Sequence, residues 1–139
     1  MNTMNPTSGQ YNPLLPLIGR ILVGLLFVVA GYGKLMAFGG TAGYLAKLGF
    51  PAPEVMTVLA IAFELGGGIL LIIGWQTRWA AWGLILFTVI ATFAAHRFWE
   101  FEPPQRVPQM NNFLKNFAII GGLLMVICFG PGSASVDKR

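Results

Sequence analysis

Residues 55–75 read VMTVLAIAFELGGGILLIIGW, and the fold is decided by how this run is read. Only one of its residues is charged. A helix rises about 1.5 Å per residue, so the run spans roughly 30 Å, the thickness of a bilayer's hydrocarbon core. The charged residue is Glu64, with nine residues of the run before it and eleven after. An ionisable group at that depth is costly unless it is protonated, paired with a cation or set against a wet cavity. Its short stem cannot carry the carboxyl to the headgroups. Gly66, Gly67 and Gly68 follow closely and let a second helix or a ligand approach the backbone.

Three further runs are of the same kind. Residues 13–36 (PLLPLIGRILVGLLFVVAGYGKLM) carry two prolines in their first turn, where a missing N–H costs least. Residues 79–98 and 113–130 complete the set. Only 10% of the 139 residues are charged, against roughly a quarter in soluble domains. Hydrophobic residues make up 55% of the chain and the mean hydropathy is +0.69. The expected fold is all-α, an integral membrane four-helix transmembrane bundle over residues 13–130. A flexible tail at 1–12 and a C-terminal tail at 131–139 flank it.

Only Gln76, Thr77 and Arg78 separate the second and third runs, which forces an antiparallel hairpin. Between the first and second, Thr41 is expected to cap a short interfacial helix whose Tyr44, Leu45 and Leu48 share one face, ended by Gly49 and Pro51. Residues 100–111, broken by Pro103, Pro104 and Pro108, are expected to be non-helical. The first nineteen residues hold no Lys or Arg and end in no small-residue cleavage site. The first run therefore reads as a retained helix and not a signal peptide. Residues 63–75 also align without gaps on 117–129, matching Phe63 to Phe117 and Gly67 and Gly68 to Gly121 and Gly122, with Glu64 opposite Ala118. Either the two hairpins are repeats related by an axis along the membrane normal, or two glycine-containing apolar helices are alike by chance.

The net charge is +4, from nine Lys and Arg against five Asp and Glu. These cations are scattered singly, without a patch or aromatic interleaving, so lipid and not nucleic acid is the expected partner. By side, Lys34, Lys47, Arg97, Arg106 and Lys115 outnumber Arg78, Lys138 and Arg139, which favours the first group's side as cytoplasmic. A single cysteine, Cys128, and a single histidine, His96, exclude an internal disulfide, a CxxC pair, a bis-histidine haem and a His-rich metal site within one chain.

Arg20 and Lys34 lie fourteen residues apart, close to four turns, with Gly24, Phe27 and Gly31 between them on nearly the same face. That face is the expected packing seam of the first helix. Thr88, Thr92 and His96 form a polar stripe on the third, and Asn112, Lys115 and Asn116 stand at the start of the fourth. Helix direction brings Lys34, His96, Asn112 and Asn116 to one membrane face, with Glu64 as a floor halfway down. Arg20 reaches towards Glu64 from the other side. Each feature also has a structural reading: Glu64 with Arg20 or Lys34 as an ion pair that fixes packing, Lys34 as an interfacial anchor, and His96 with Arg97, Phe98 and Trp99 as a headgroup belt. Thr88 and Thr92 can simply bond their own helix.

The segments RILVGLLFVVAGYGKL (20–35), YLAKLGFPAP (44–53), AFELGGGILLIIGWQTRWAA (62–81) and FLKNFAIIGGLL (113–124), in this order, resemble the DoxX family of small bacterial membrane proteins. The resemblance covers residues 14–130. It implies a four-helix fold in the bacterial cytoplasmic (inner) membrane, with Arg20, Lys34, Glu64, His96, Lys115 and Asn116 at the family's polar positions. It also implies a link to redox chemistry. The founding members look like membrane subunits of a thiosulfate:quinone oxidoreductase, and others are tied to thiol-oxidative stress and to resistance against quinones and catechols.

Three functions follow as expectations. The first is a membrane component of a redox or oxidative-stress system that binds a quinone or similar aromatic. Glu64 and His96 are its candidate proton donors, and Arg20, Lys34, Glu64, His96, Asn112, Lys115 and Asn116 its candidate ligand set. No redox centre is encoded, so electrons would come from a soluble or membrane partner or from a bound cofactor. The second is a small proton-coupled exporter working through one intramembrane acid. The third is a scaffold subunit whose polar residues only hold helices together. Association into a homo-oligomer is expected with any of them, because four helices with glycine-rich faces bury little alone.

Overall fold

The computed structural model describes residues 12–138. Its helices are α1 (Leu14–Met36), α2 (Phe38–Lys47), α3 (Pro53–Ile61), α4 (Gly67–Ile73), α5 (Thr77–Ala95) and α6 (Arg106–Phe129), and no strand occurs among the described residues. A π turn, Ala62–Gly66, joins α3 and α4 into one rod. Four segments are then long and apolar enough to cross a membrane: Leu14–Met36, Pro53–Ile73, Thr77–Glu100 and Arg106–Phe129. Large apolar side chains such as Leu22, Val29, Trp79 and Phe129 point outward, as they do where the solvent is lipid. The chain is a multi-pass membrane protein.

Two boundaries depart from expectation. The fourth membrane helix begins at Arg106 and not near Phe113, so residues 106–111 are helical. Pro108 sits in its first turn, where backbone N–H groups have no partner to lose. The short helix α2 follows α1 after Ala37 alone, and Thr41 lies inside it instead of capping it, with Oγ1 donating to Ala37 O at 3.0 Å. Gly49 does end it, at φ +90°. The tail expected at 1–12 lies outside the described residues, apart from Asn12.

The C-terminal residues 131–138 fold back on the bundle. Pro131 and Gly132 are buried, Val136 N donates to Ile73 O at 3.2 Å, and Asp137 N donates to Gly74 O at 2.9 Å.

The seam read from spacing on α1 is its buried face: Arg20, Gly24, Phe27 and Gly31. Glycine is required there by contact. A Cβ on Gly24 would fall 2.9 Å from Gly68 O, and one on Gly31 would fall 2.7 Å from Leu65 N. The two backbones touch, as small residues permit between membrane helices. The aligned glycines of α6 behave differently. A Cβ on Gly121 would have nothing within 4 Å, and one on Gly122 would meet only Val23, at 3.9 Å. The two halves therefore do not share the packing role of these glycines.

Phe27, Leu71, Ala81, Leu84 and Leu123 form a closed core. Apart from Phe27, they lie in the half of the bundle next to the α4–α5 hairpin and the C-terminal tail. The other half, under α2, is not filled in this way. Glu64 stands at the boundary.

Candidate functional site

The π turn carries Glu64, which is 4% exposed. One extra residue in a helical turn re-aims the side chains on it, and such turns recur at functional sites. Gly31 brings α1 against this turn, so that a Cβ there would stand 3.1 Å from Glu64 Cβ. Lys34, nearly one turn further along α1, then places Nζ 2.7 Å from Glu64 Oε2. The Lys34 ammonium also faces the Phe87 ring, 6.0 Å from its centroid.

A cavity of about 420 Å³ opens over this pair. That volume is in the range of roughly 300–1,000 Å³ that holds drug-sized molecules. Its polar lining includes Lys34, Glu64, Thr88, His96 and Asn116. Apolar side chains, among them Phe27, Met56, Phe63 and Phe87, make up most of the wall, to which Tyr44 and Leu45 of α2 and Leu48 just after it also belong. Few polar groups in an apolar, aromatic wall is the composition of a small-molecule site.

At its rim, His96 ends α5 and its Nδ1 lies 2.6 Å from Gln109 Oε1 in the first turns of α6. With that oxygen accepting, Nδ1 carries the proton and Nε2 is the basic nitrogen. Deeper in, Thr88 Oγ1 donates to Leu84 O at 2.7 Å and Thr92 Oγ1 to Thr88 O at 2.6 Å. Asn116 Nδ2 donates to Thr92 Oγ1 at 2.9 Å. Both threonines thus bond their own helix, and Thr92 also holds Asn116 in place.

Four of the seven residues expected at a site, Lys34, Glu64, His96 and Asn116, line this one cavity. Lys115 is exposed, and neither it nor Asn112 is in the lining. Arg20 is elsewhere. It is 1% exposed, and its guanidinium donates to Leu71 O at 3.1 Å, to Ile72 O at 2.8 Å and to Ala134 O of the tail. The last carbonyls of a helix have no partners within it, and a cation there suits the helix dipole. Arg20 therefore closes the end of α4. Asp137 does the converse at the start of α5, accepting from Gln76 N, Thr77 N and Thr77 Oγ1 at 3.0, 2.9 and 2.7 Å. Gly74, at φ +72°, leaves no space for a Cβ between Arg20 and Ser135.

Sequence reasoning missed Gln109 because it lies among prolines in a stretch read as loop. It missed α2 as a wall because α2's apolar residues alone suit a membrane surface equally well.

Comparison with known proteins agrees with this architecture. A family model described as DoxX matches residues 15–97. The inner membrane protein YphA of Escherichia coli is 37% identical over 140 residues, covering 100% of both chains. The inner membrane protein YqjF of the same organism is 35% identical over 122 residues and 88% of each chain. The Surfeit locus protein 4 homolog of Schizosaccharomyces pombe is 33% identical over 88% of this chain but only 36% of its own length. No solved structure matches.

Proposed function

This chain belongs to the DoxX family of inner-membrane proteins, and we propose that it binds the ring of a quinone, or a similar small aromatic carbonyl compound, above the Lys34–Glu64 pair. It does so as the membrane component of a redox or oxidative-stress system. The observation that carries this reading is the contact of Lys34 with the buried Glu64 beside an open, aromatic-walled cavity. An ion pair that served packing alone would need neither the cavity nor the π turn.

The chemistry suits the groups. A quinone carbonyl is a hydrogen-bond acceptor, and the Lys34 ammonium is a donor on the cavity wall. Phe63 and Phe87 offer flat apolar surface to the ring. Reduction to the quinol consumes two electrons and two protons. Lys34, Glu64 and His96 line the same cavity and are groups able to exchange those protons. The electrons come from a partner or a bound cofactor, because the chain has one cysteine and one histidine and no redox motif.

The test is ligand binding by the purified protein in lipid nanodiscs, using 2,3-dimethoxy-5-methyl-1,4-benzoquinone. Saturable binding that Lys34→Met and Glu64→Gln both weaken supports the reading. Removing a hydrogen bond to a charged group costs about 1.5–3 kcal/mol, so roughly a ten- to hundredfold loss is expected. Absence of saturable binding, or equal binding by all three proteins, rejects it.

A further inference from the structure

The walls of the cavity differ in how they are packed. Towards the tail its lining includes the buried Phe27, Glu64 and Thr88, and Phe27 packs in the core with Leu71 and Leu84. Towards the opposite surface α2 lies over it, and the His96–Gln109 contact ties α5 to α6. Between the second and third membrane helices the situation differs. α3 packs chiefly on α1 and α2, whereas the main contacts with α5 come from the π turn and from α4 beyond it. The two rods thus part at the π turn and leave a cleft with Glu64 at its vertex.

The side chains along that cleft belong to the cavity wall and to the outer surface at once. Leu59 and Phe63 on one rod and Leu86 and Ile90 on the other line the cavity while remaining 37–55% exposed. On the α1–α6 side Leu26 alone combines the two properties to this degree. A surface of this kind lets a chain of methylene or prenyl units lie across it without desolvating any polar group.

We propose that the cleft between α3 and α5 is a lateral portal to the bilayer, and that the ligand is an amphipath whose polar ring sits at Glu64 while its single long apolar tail runs out between Leu59, Phe63, Leu86 and Ile90 into lipid. This rests on the ring-binding reading above and adds the ligand class and its route. Lipid is as apolar as the cleft, so the tail gains little from its new surroundings. Affinity resides in the head, and the tail selects for ligands already dissolved in the membrane.

The experiment uses the full chain in nanodiscs with a benzoquinone whose decyl tail carries a diazirine on its third carbon. After photolysis, the labelled positions are read by peptide mass spectrometry. The expected adducts fall on Leu59, Phe63, Leu86 and Ile90. They should fall roughly tenfold when the tailless 2,3-dimethoxy-5-methyl-1,4-benzoquinone is present at ten times its Kd, by mass action. Adducts equally sensitive to the competitor but located on Leu26 and Ile119 overturn the portal and leave ring binding intact. Adducts anywhere that ignore the competitor overturn both, because the ring is then not held in the cavity.

Discussion

Lys34 Nζ lies 2.7 Å from Glu64 Oε2 because Gly31, on the same face of α1, has no side chain to hold the helix away from the π turn. The antiparallel register of α1 against the second membrane helix follows from such glycine contacts. Gly31 meets Glu64 and Leu65, Gly24 meets Gly68 and Ile72, and Arg20 then falls beside Leu71 and Ile72. Of the two cations on one seam, this register gives Glu64 the lysine and the end of α4 the arginine.

Gly31→Ala should therefore damage both stability and the site. Its Cβ would meet Leu65 N at 2.7 Å and Leu65 Cβ at 3.0 Å, backbone-anchored atoms that cannot swing aside. Overpacking of this kind costs about 1–3 kcal/mol. Thermal unfolding in detergent should show a lowered midpoint, and quinone binding should fall with it. Gly33→Ala, where nothing lies within 4 Å, should lower neither.

Stability and binding should separate at the ion pair. Lys34→Met leaves the Glu64 carboxylate buried without its cation, a change that costs about 3–5 kcal/mol for fully buried pairs. A smaller loss is expected here, since the Lys34 side chain is 31% exposed. The double variant Lys34→Met/Glu64→Gln removes both charges and should be more stable than Lys34→Met alone. Its quinone affinity should stay low. Recovery of both properties together would mean that the pair serves packing only.

The opposite end of the bundle should affect stability without affecting binding. Asp137→Ala removes three hydrogen bonds at the start of α5, and loss of a helix cap costs about 1 kcal/mol or somewhat more. Arg20→Met withdraws the donors that serve Leu71 O, Ile72 O and Ala134 O and should cost more. Denaturation midpoints should fall in both. Quinone affinity, measured at a temperature where each variant is folded, should remain that of the parent.

His96 is the chain's single histidine, so its ring nitrogens give unambiguous signals in a ¹⁵N-histidine NMR spectrum. With Gln109 Oε1 at 2.6 Å, Nδ1 should be the protonated nitrogen of the neutral ring. Gln109→Leu removes that acceptor, and the ring should shift towards the Nε2-protonated tautomer that the free histidine side chain prefers. An unchanged spectrum would show that Gln109 does not orient the ring.

Much of this was legible in the residues themselves. Four apolar runs of bilayer length, and the spacing of Arg20, Gly24, Phe27 and Gly31, are one-dimensional signals, because helical rise and periodicity translate them directly into spans and a buried face. The start of α6 was hidden, since its first turns, RVPQMNN, are polar and carry Pro108 at a position where proline does no harm. The back-folded tail was hidden too, because SASVDK has no apolar pattern and is held by backbone hydrogen bonds, one carboxylate and the Arg20 guanidinium.

By itself, then, the sequence determined a membrane bundle with an acid at mid-depth and cations on the facing helix. Which cation meets the acid was decided only by the tertiary structure. So were the π turn that aims Glu64, the partition into a packed half and a hollow half, and the lateral cleft. Each depends on how helices distant in the chain meet, as where Gly24 and Gly31 of α1 touch Gly68 and Leu65, and no local pattern encodes such contacts.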